Sequence, residues 1–360
     1  MSKKSVRLYN PGPINVSDDT FKAMSAPMIG HRGNDFVELY EDIHPKLQAL
    51  FGTEGPVYLS TSSAWGIMEA AVKNLTQKKV LNCCNGAFSD KWLNVSERCG
   101  IDAEALTAEW GTPISPSSLN EKLAEGEFDL VTLIHNETST GVMNPLNEIA
   151  EVVSQYPDVL LAVDTVSSFS ATPINTTENS IDVVLTGSQK ALALPPGLAL
   201  FTVSEKALER AKSTSNRGFY FDFLEFHKNW EKMMTPSTPC ISLLYGLQHQ
   251  LNKIFNEGLA ERYTRHIQLN SMVHDWVEEN NFQHFAPEGY RSKSLTCVAN
   301  NLNIDVPSWI SSMREKHSLI INGGYGKIKG TTFRISNMGD ETKESIASML
   351  EAITDTLPLP

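Results

Sequence analysis

Apolar and polar positions along this chain follow two periods in turn. Short apolar runs at Val57 to Ser60, Val80 to Cys83, Leu130 to His135, Val159 to Asp164 and from Ile181 onward have the length and composition of buried strands. Stretches with helical spacing lie between them, at Ile67 to Leu75, Asp90 to Arg98 and Leu146 to Ser154. From about residue 35 to 255 this alternation predicts βαβ units, hence an α/β fold with a mostly parallel central sheet covered by helices on both faces. A long helical stretch, Ser242 to Val277, then leads to a strand at Ser294 to Asn300 and a helix at Pro307 to Lys316. Short strands at Leu319 to Asn322 and Thr331 to Ser336 and a closing helix at Lys343 to Leu357 complete the pattern. The expected organisation is a large unit over 21–255 and a smaller α+β unit over 256–360.

Two of the apolar strands end in charge. Val-Leu-Leu-Ala-Val-Asp closes on Asp164, and the run from Ile181 passes through Thr-Gly-Ser-Gln to Lys190. Ligands in open α/β sheets bind at the carboxyl ends of strands. A desolvated lysine there can form a Schiff base with an aldehyde cofactor, and a carboxylate on a pyridinium nitrogen keeps that ring an electron sink. The pair points to pyridoxal 5'-phosphate. An isolated lysine after a strand is ordinarily solvated, but Lys190 is followed by Ala-Leu-Ala-Leu-Pro-Pro-Gly, where an ammonium needs a partner or a lowered pKa.

Composition narrows the class without naming it. The chain has 360 residues, 41% hydrophobic and 20% charged, the profile of a soluble globular protein large enough for two cores. Its net charge of -12 argues against nucleic acid or an anionic membrane as partner. No apolar run is long enough to span a bilayer and the first ten residues lack a signal core. Cys83, Cys84, Cys99, Cys240 and Cys297 have neither disulfide nor metal-ligand spacing, which fits a reducing cytoplasm and no metal site.

Other segments supply candidate contacts. Leu-Ser-Thr-Ser-Ser-Ala-Trp-Gly (59–66) puts a hydroxyl-rich turn before a helix, so Ser63, Ala64 and Trp65 could cradle a phosphate; N-capping by Ser62 or Ser63 is the alternative. Phe88, in the next strand-to-helix turn, could stack on a heteroaromatic ring or simply join the core. In His-Asn-Glu-Thr-Ser-Thr-Gly (135–141), Thr138 could bond the cofactor's phenolic oxygen or serve as a cap. Arg334 lies on a strand between Phe333 and Ile335 and so faces away from both, placing its fork either on a substrate carboxylate or in a salt bridge. No Gly-x-Ser-x-Gly elbow, zinc-protease motif or dinucleotide fingerprint is present, since Gly323-Gly-Tyr-Gly lacks the following helix.

Together these blocks resemble the class V aminotransferases, fold-type I pyridoxal phosphate enzymes, and most closely the alanine-glyoxylate and serine-pyruvate branch. The resemblance runs from Asn10-Pro-Gly-Pro-Ile-Asn through Glu137-Thr-Ser-Thr-Gly-Val, Val163-Asp-Thr-Val-Ser-Ser and Gly187-Ser-Gln-Lys-Ala-Leu to Arg334-Ile. It implies a three-layer fold, Lys190 as the Schiff-base lysine, and Asp164 at the ring nitrogen. It further implies Ser63, Ala64, Trp65 and Gln189 around the phosphate, Phe88 on the ring and Thr138 near the phenolic oxygen. Arg334 would take the substrate carboxylate, helped by backbone at Gly12 within an N-terminal segment (1–20) that contributes to the site. A homodimer follows from the resemblance, with Thr235 and Thr238 reaching the neighbour's phosphate.

The implied reaction is ping-pong transfer of an amino group from a small amino acid (alanine, serine or aspartate-like) to glyoxylate or pyruvate. Departures from the family pattern at Trp65, Phe88 and Arg334-Ile-Ser-Asn-Met-Gly bear on the substrate. His31 and Arg32 add possible cations at the pocket mouth, suited to an acidic or aminophosphonate donor, or else form a structural ion pair. A lyase or desulfurase of the same superfamily is the rival enzyme. A desulfurase needs a cysteine on a mobile C-terminal loop, yet 298–334 contains none and Cys297 falls within an apparent strand. A cofactor-binding subunit without turnover is the non-enzymatic rival, and the joint presence of Lys190, Asp164 and Arg334 speaks against it.

Overall fold

A computed structural model describes residues 6–358; residues 1–5 of the N-terminal segment and 359–360 lie outside the described residues. Its centre is a seven-stranded sheet made of β1 (Val57–Ser60), β2 (Val80–Cys84), β3 (Ala103–Thr107), β4 (Leu130–Ile134), β5 (Leu160–Asp164), β6 (Val183–Gly187) and β7 (Ala199–Val203). The strand order is β1-β7-β6-β5-β4-β2-β3, with β7 antiparallel to both neighbours and the remaining pairs parallel. This is the α/β, mostly parallel architecture expected from the alternation.

Every residue of β1, β2 and β4 to β7 is buried, which is why these segments read as continuous apolar runs. Period-2 alternation divides them between two cores. Val57, Leu59, Leu81, Val131, Leu161 and Val184 meet the helices Asn34–Phe51, Leu146–Ser154 and Ile241–Glu257. Tyr58, Val80, Leu130, Leu160, Leu185 and Phe201 meet the helix Ala64–Leu75 and Trp92 of the helix Ala87–Arg98.

A second, antiparallel sheet contains β8 (Gln283–His284), β9 (Leu295–Ala299), β10 (Asn322–Gly323) and β11 (Thr332–Ser336) in the order β8-β9-β11-β10. Its apolar face, including Val298, Phe333 and Ile335, packs with Trp276, Trp309, Ile346 and Met349 into a separate core. Tyr9 joins that core, and Arg7–Leu8 pair in parallel with Leu319–Ile320, so the start of the chain is tied to the C-terminal unit.

The expected single helix over 242–277 is two helices, Ile241–Glu257 and Leu259–Glu279, broken at Gly258 with φ +91°. An L side chain rarely takes that φ, and a Cβ there would collide with Glu261. Strand β3 was not among the expected strands because its residues are half-exposed and carry Glu104, so the apolar signal is weak. No described helix is long and apolar enough to cross a membrane.

Candidate active site

The carboxyl ends of the parallel strands converge on a cavity of about 220 Å³. Strand β5 delivers Asp164, and the turn after β6 delivers Gln189 and Lys190. The turn after β1 delivers Ser63, Ala64 and Trp65, that after β2 Phe88, and that after β4 Asn136 and Thr138. Gly12 and Pro13 close one side. Nine residues expected from sequence to form the site therefore line one cavity. Asp164 sits in register with Ile134 on one neighbouring strand and Leu185 on the other, and the latter strand runs two residues further, to Gly187, before the turn that carries Lys190.

Lys190 is 9% exposed and donates from Nζ to the carbonyl of Pro11. Burial, reinforced by the Arg334 cation and opposed by Asp164, pulls its amine down to about 8. Burial pushes the Asp164 carboxyl up to about 7, although Val166 N–H donates to its Oδ1 at 2.6 Å. Gly12, at φ +117°, lies so close to Lys190 that a Cβ would come within 2.6 Å of the lysine Cδ. Only glycine lets the backbone approach there. Two buried groups from the Ile241–Glu257 and Leu259–Glu279 helices hold the turn after Lys190: Arg262 Nη2 donates to Ala191 O at 2.6 Å and Gln250 Nε2 to Ala193 O at 3.1 Å.

The helix Ala64–Leu75 starts at Ser63 without a side-chain cap, so the capping alternative for Ser63 does not hold, and Ser63, Ala64 and Trp65 at this helix start line the cavity. The Thr138 hydroxyl lies 2.5 Å from Ser167 Oγ, and its carbonyl accepts from Arg334 Nη1 at 3.3 Å. Arg334 also donates from Nε (3.2 Å) and Nη2 (3.0 Å) to Gly323 O. Three of its five N–H groups are thus occupied by backbone carbonyls, leaving one on each terminal nitrogen, the pair that grips a carboxylate bidentately. Its partners among the described residues include no carboxylate, so the salt-bridge alternative is set aside.

Phe88 lines the cavity on one side and stacks on Tyr325 on the other, with centroids 5.4 Å apart and planes 7° from parallel. Glu137, fully buried, was not singled out from sequence. It accepts from Ser89 N–H (3.0 Å), Phe88 N–H (3.4 Å) and the Ser139 N–H and hydroxyl (3.1 and 2.6 Å). A buried carboxylate therefore caps the helix bearing Phe88 in place of Gly86 and ties it to the Thr138 turn.

Five expected residues do not line this cavity: Arg334, which is joined to it through Thr138, and four that stand apart. Arg32 donates to Thr235 O (2.7 Å) and Pro236 O (3.1 Å), and His31 Nε2 lies 3.4 Å from Thr238 Oγ1. Thr235 and Thr238 line a separate small cleft with Thr61 and Tyr220. The structure brings His31, Arg32, Thr235 and Thr238 to one another, and none of the four lines the Lys190 cavity. Cys297 is buried in β9 opposite Arg334, and burial pushes its thiol up to about 12, the reverse of a nucleophilic cysteine on a mobile loop. No described group of three or more His, Cys, Asp or Glu residues could hold a metal.

A doubly covered parallel sheet with a buried amine and carboxyl at its strand ends defines a fold-type I α/β enzyme. Residues 18–324 match the family described as aminotransferase class-V. An uncharacterized aminotransferase of Methanocaldococcus jannaschii is 37% identical over 96% of this chain and 91% of its own length. The serine–glyoxylate aminotransferase of Methylorubrum extorquens is 33% identical over 94% and 88%. The crystal structure of alanine–glyoxylate aminotransferase from Nostoc sp. superposes with a TM-score of 0.93 at 28% identity, covering 99% of this chain and 96% of that one. The chain belongs to the class V aminotransferases, which use pyridoxal phosphate. The cavity fits that cofactor on its own evidence. Asp164 uses only Oδ1 within the protein, so a protonated ring nitrogen would meet a buried acid in need of a donor, and Lys190 offers an amine whose pKa is already lowered.

Proposed function

We propose that this chain works as a homodimer that transfers the amino group of a small amino acid, alanine, serine or an aspartate-like donor, to a small 2-oxo acid such as glyoxylate or pyruvate. The observation that carries the reading is the desolvated Lys190 amine and the buried Asp164 carboxyl in one cavity, with Arg334 held next to it by its bond to the cavity residue Thr138. When bound, pyridoxal phosphate supplies an aldehyde that captures amines and a protonated ring that draws electrons from the substrate α-carbon.

The protein's part follows from its own groups. Lys190 would hold the cofactor's aldehyde, and its amine, near pKa 8, would suit taking and returning the substrate α-proton around neutral pH. Asp164 would face the ring nitrogen, whose N–H would keep the carboxylate ionised. Arg334 holds the α-carboxylate, which sets the orientation of the α-proton. Ser63, Ala64, Trp65 and Gln189 serve the phosphate, Phe88 backs the ring, and Thr138 with Ser167 meets the phenolic oxygen. Residues 21–255 act as the cofactor-binding unit and 256–360 as the unit that supplies Arg334.

The dimer is supported by the position of Thr235 and Thr238 outside their own chain's cavity and by exposed Phe21, Met28, Phe219 and Tyr220. Arg32 and His31 then act as supports for the 235–238 loop. Five free thiols favour a cytoplasmic setting. A panel of amino donors and 2-oxo acids, scored by the reversible conversion of the aldehyde to the amine form of the cofactor, tests the reading. Conversion by alanine, serine or aspartate and reversal by glyoxylate or pyruvate is the expected result. No conversion by any of the three would overturn it.

A further inference from the structure

The loop from Gly323 to Ile328 leaves the small sheet and crosses to the helix Ala87–Arg98 of the large one. Three contacts fasten it there. Tyr325 stacks on Phe88 with centroids 5.4 Å apart. Gly326, at φ +63°, fits where a Cβ would lie 2.8 Å from the Trp110 ring. Lys327 Nζ reaches Asp90 at 3.2 Å and sits 4.9 Å from the Trp110 centroid. The same loop begins at the carbonyl that accepts two Arg334 N–H groups, and the Arg334 guanidinium carbon lies 5.8 Å from the Tyr325 ring centroid. Tyr325 therefore touches both the ring that lines the cofactor side of the cavity and the cation left open for a carboxylate. Such a joint contact is poorly explained by packing alone, because Tyr325 is 47% exposed and contributes little to any core.

We propose that Tyr325 is a positioning residue that couples Arg334 to Phe88, holding the guanidinium fork in the attitude that receives the substrate carboxylate. The inference rests on Arg334 binding that carboxylate, as set out above. One face of the Tyr325 ring backs Phe88, and its electron-rich surface favours a guanidinium alongside it over alternative rotamers. Because the fork keeps one N–H on each terminal nitrogen, the aromatic contact leaves the carboxylate-gripping edge free.

The test uses the holoprotein and two variants, Tyr325→Leu and Tyr325→Phe. The leucine removes both aromatic contacts at an exposed site, whereas phenylalanine keeps them. In Tyr325→Leu the KM of the amino donor should rise about 5-fold, the scale of a half-exposed cation–π contact, with kcat within about 2-fold. The circular dichroism of the cofactor band should change as Phe88 loses its backing. Tyr325→Phe should bring both readouts back to within about 2-fold of wild type. An unchanged KM in the leucine variant, or a phenylalanine variant as impaired as the leucine one, overturns the inference. Failure of the underlying reading is visible separately, since wild-type holoprotein would then show no saturable response to any amino donor.

Discussion

The charge balance around Lys190 can be read out as a pH midpoint. Burial and Arg334 lower its amine from 10.5 to about 8, and Asp164 acts in the other direction. Only the neutral amine captures an aldehyde. At pH 7.5 a group of pKa 8 is about 24% neutral, whereas one at 10.5 is about 0.1% neutral, so the site raises the reactive fraction about 240-fold. In cofactor-free protein mixed with excess pyridoxal phosphate, the rate of the absorbance change that reports capture should rise with pH through a midpoint near 8 and level off about a unit above it. Arg334→Gln removes a cation that disfavours the ammonium, so its midpoint should move up, and capture at pH 7.5 should slow tenfold for each unit of displacement. Asp164→Asn removes the carboxylate that favours the ammonium, so its midpoint should move down. A wild-type midpoint near 10.5, or displacement of both variants in the same direction, would refute the electrostatic account.

Three further outcomes follow from the same geometry. Asp164→Asn should lower kcat by about 10²–10³, measured with saturating donor, because a preorganised charge at the ring nitrogen is lost. Arg334→Lys should raise the donor KM by about 10- to 100-fold while leaving the cofactor absorbance unaltered, since a point charge cannot reproduce the fork. Glu137→Ala should destabilise the protein by about 2–4 kcal/mol in denaturant, because the Phe88, Ser89 and Ser139 N–H groups lose their buried acceptor; an unchanged midpoint would show that these donors find water.

The placing of Asp164 and Lys190 in one cavity was legible because its signal is local. A charged residue at or just beyond the end of an apolar strand is conspicuous in sequence, and Asp164 ends one strand while Lys190 lies in the turn after the adjacent parallel one. Ser63 to Trp65 and Thr138 were legible for a related reason, since strand-to-helix turns announce themselves by small and hydroxyl residues. Glu137 was within a recognised block, but its role as a cap depends on a helix start 48 positions away in the chain. Tyr325 was hidden in a glycine-rich segment whose partners, Phe88 and Asp90, belong to another unit. Arg262, fully buried among carbonyls beside Lys190, looked like one more charge on an amphipathic helix. The bonds of His31 and Arg32 to the 235–238 loop were not legible, because sequence gives residue type and order, not which of two nearby openings a side chain enters. Gly258 did carry a usable sign of the helix break, a glycine inside a long helical pattern.

The account stands on the Lys190 amine carrying the cofactor. Borohydride reduction of the yellow holoprotein, followed by proteolysis and mass mapping, should place one pyridoxyl phosphate adduct on Lys190 and none in Lys190→Ala. An adduct at another lysine, or no adduct on a protein that still transaminates, would contradict it.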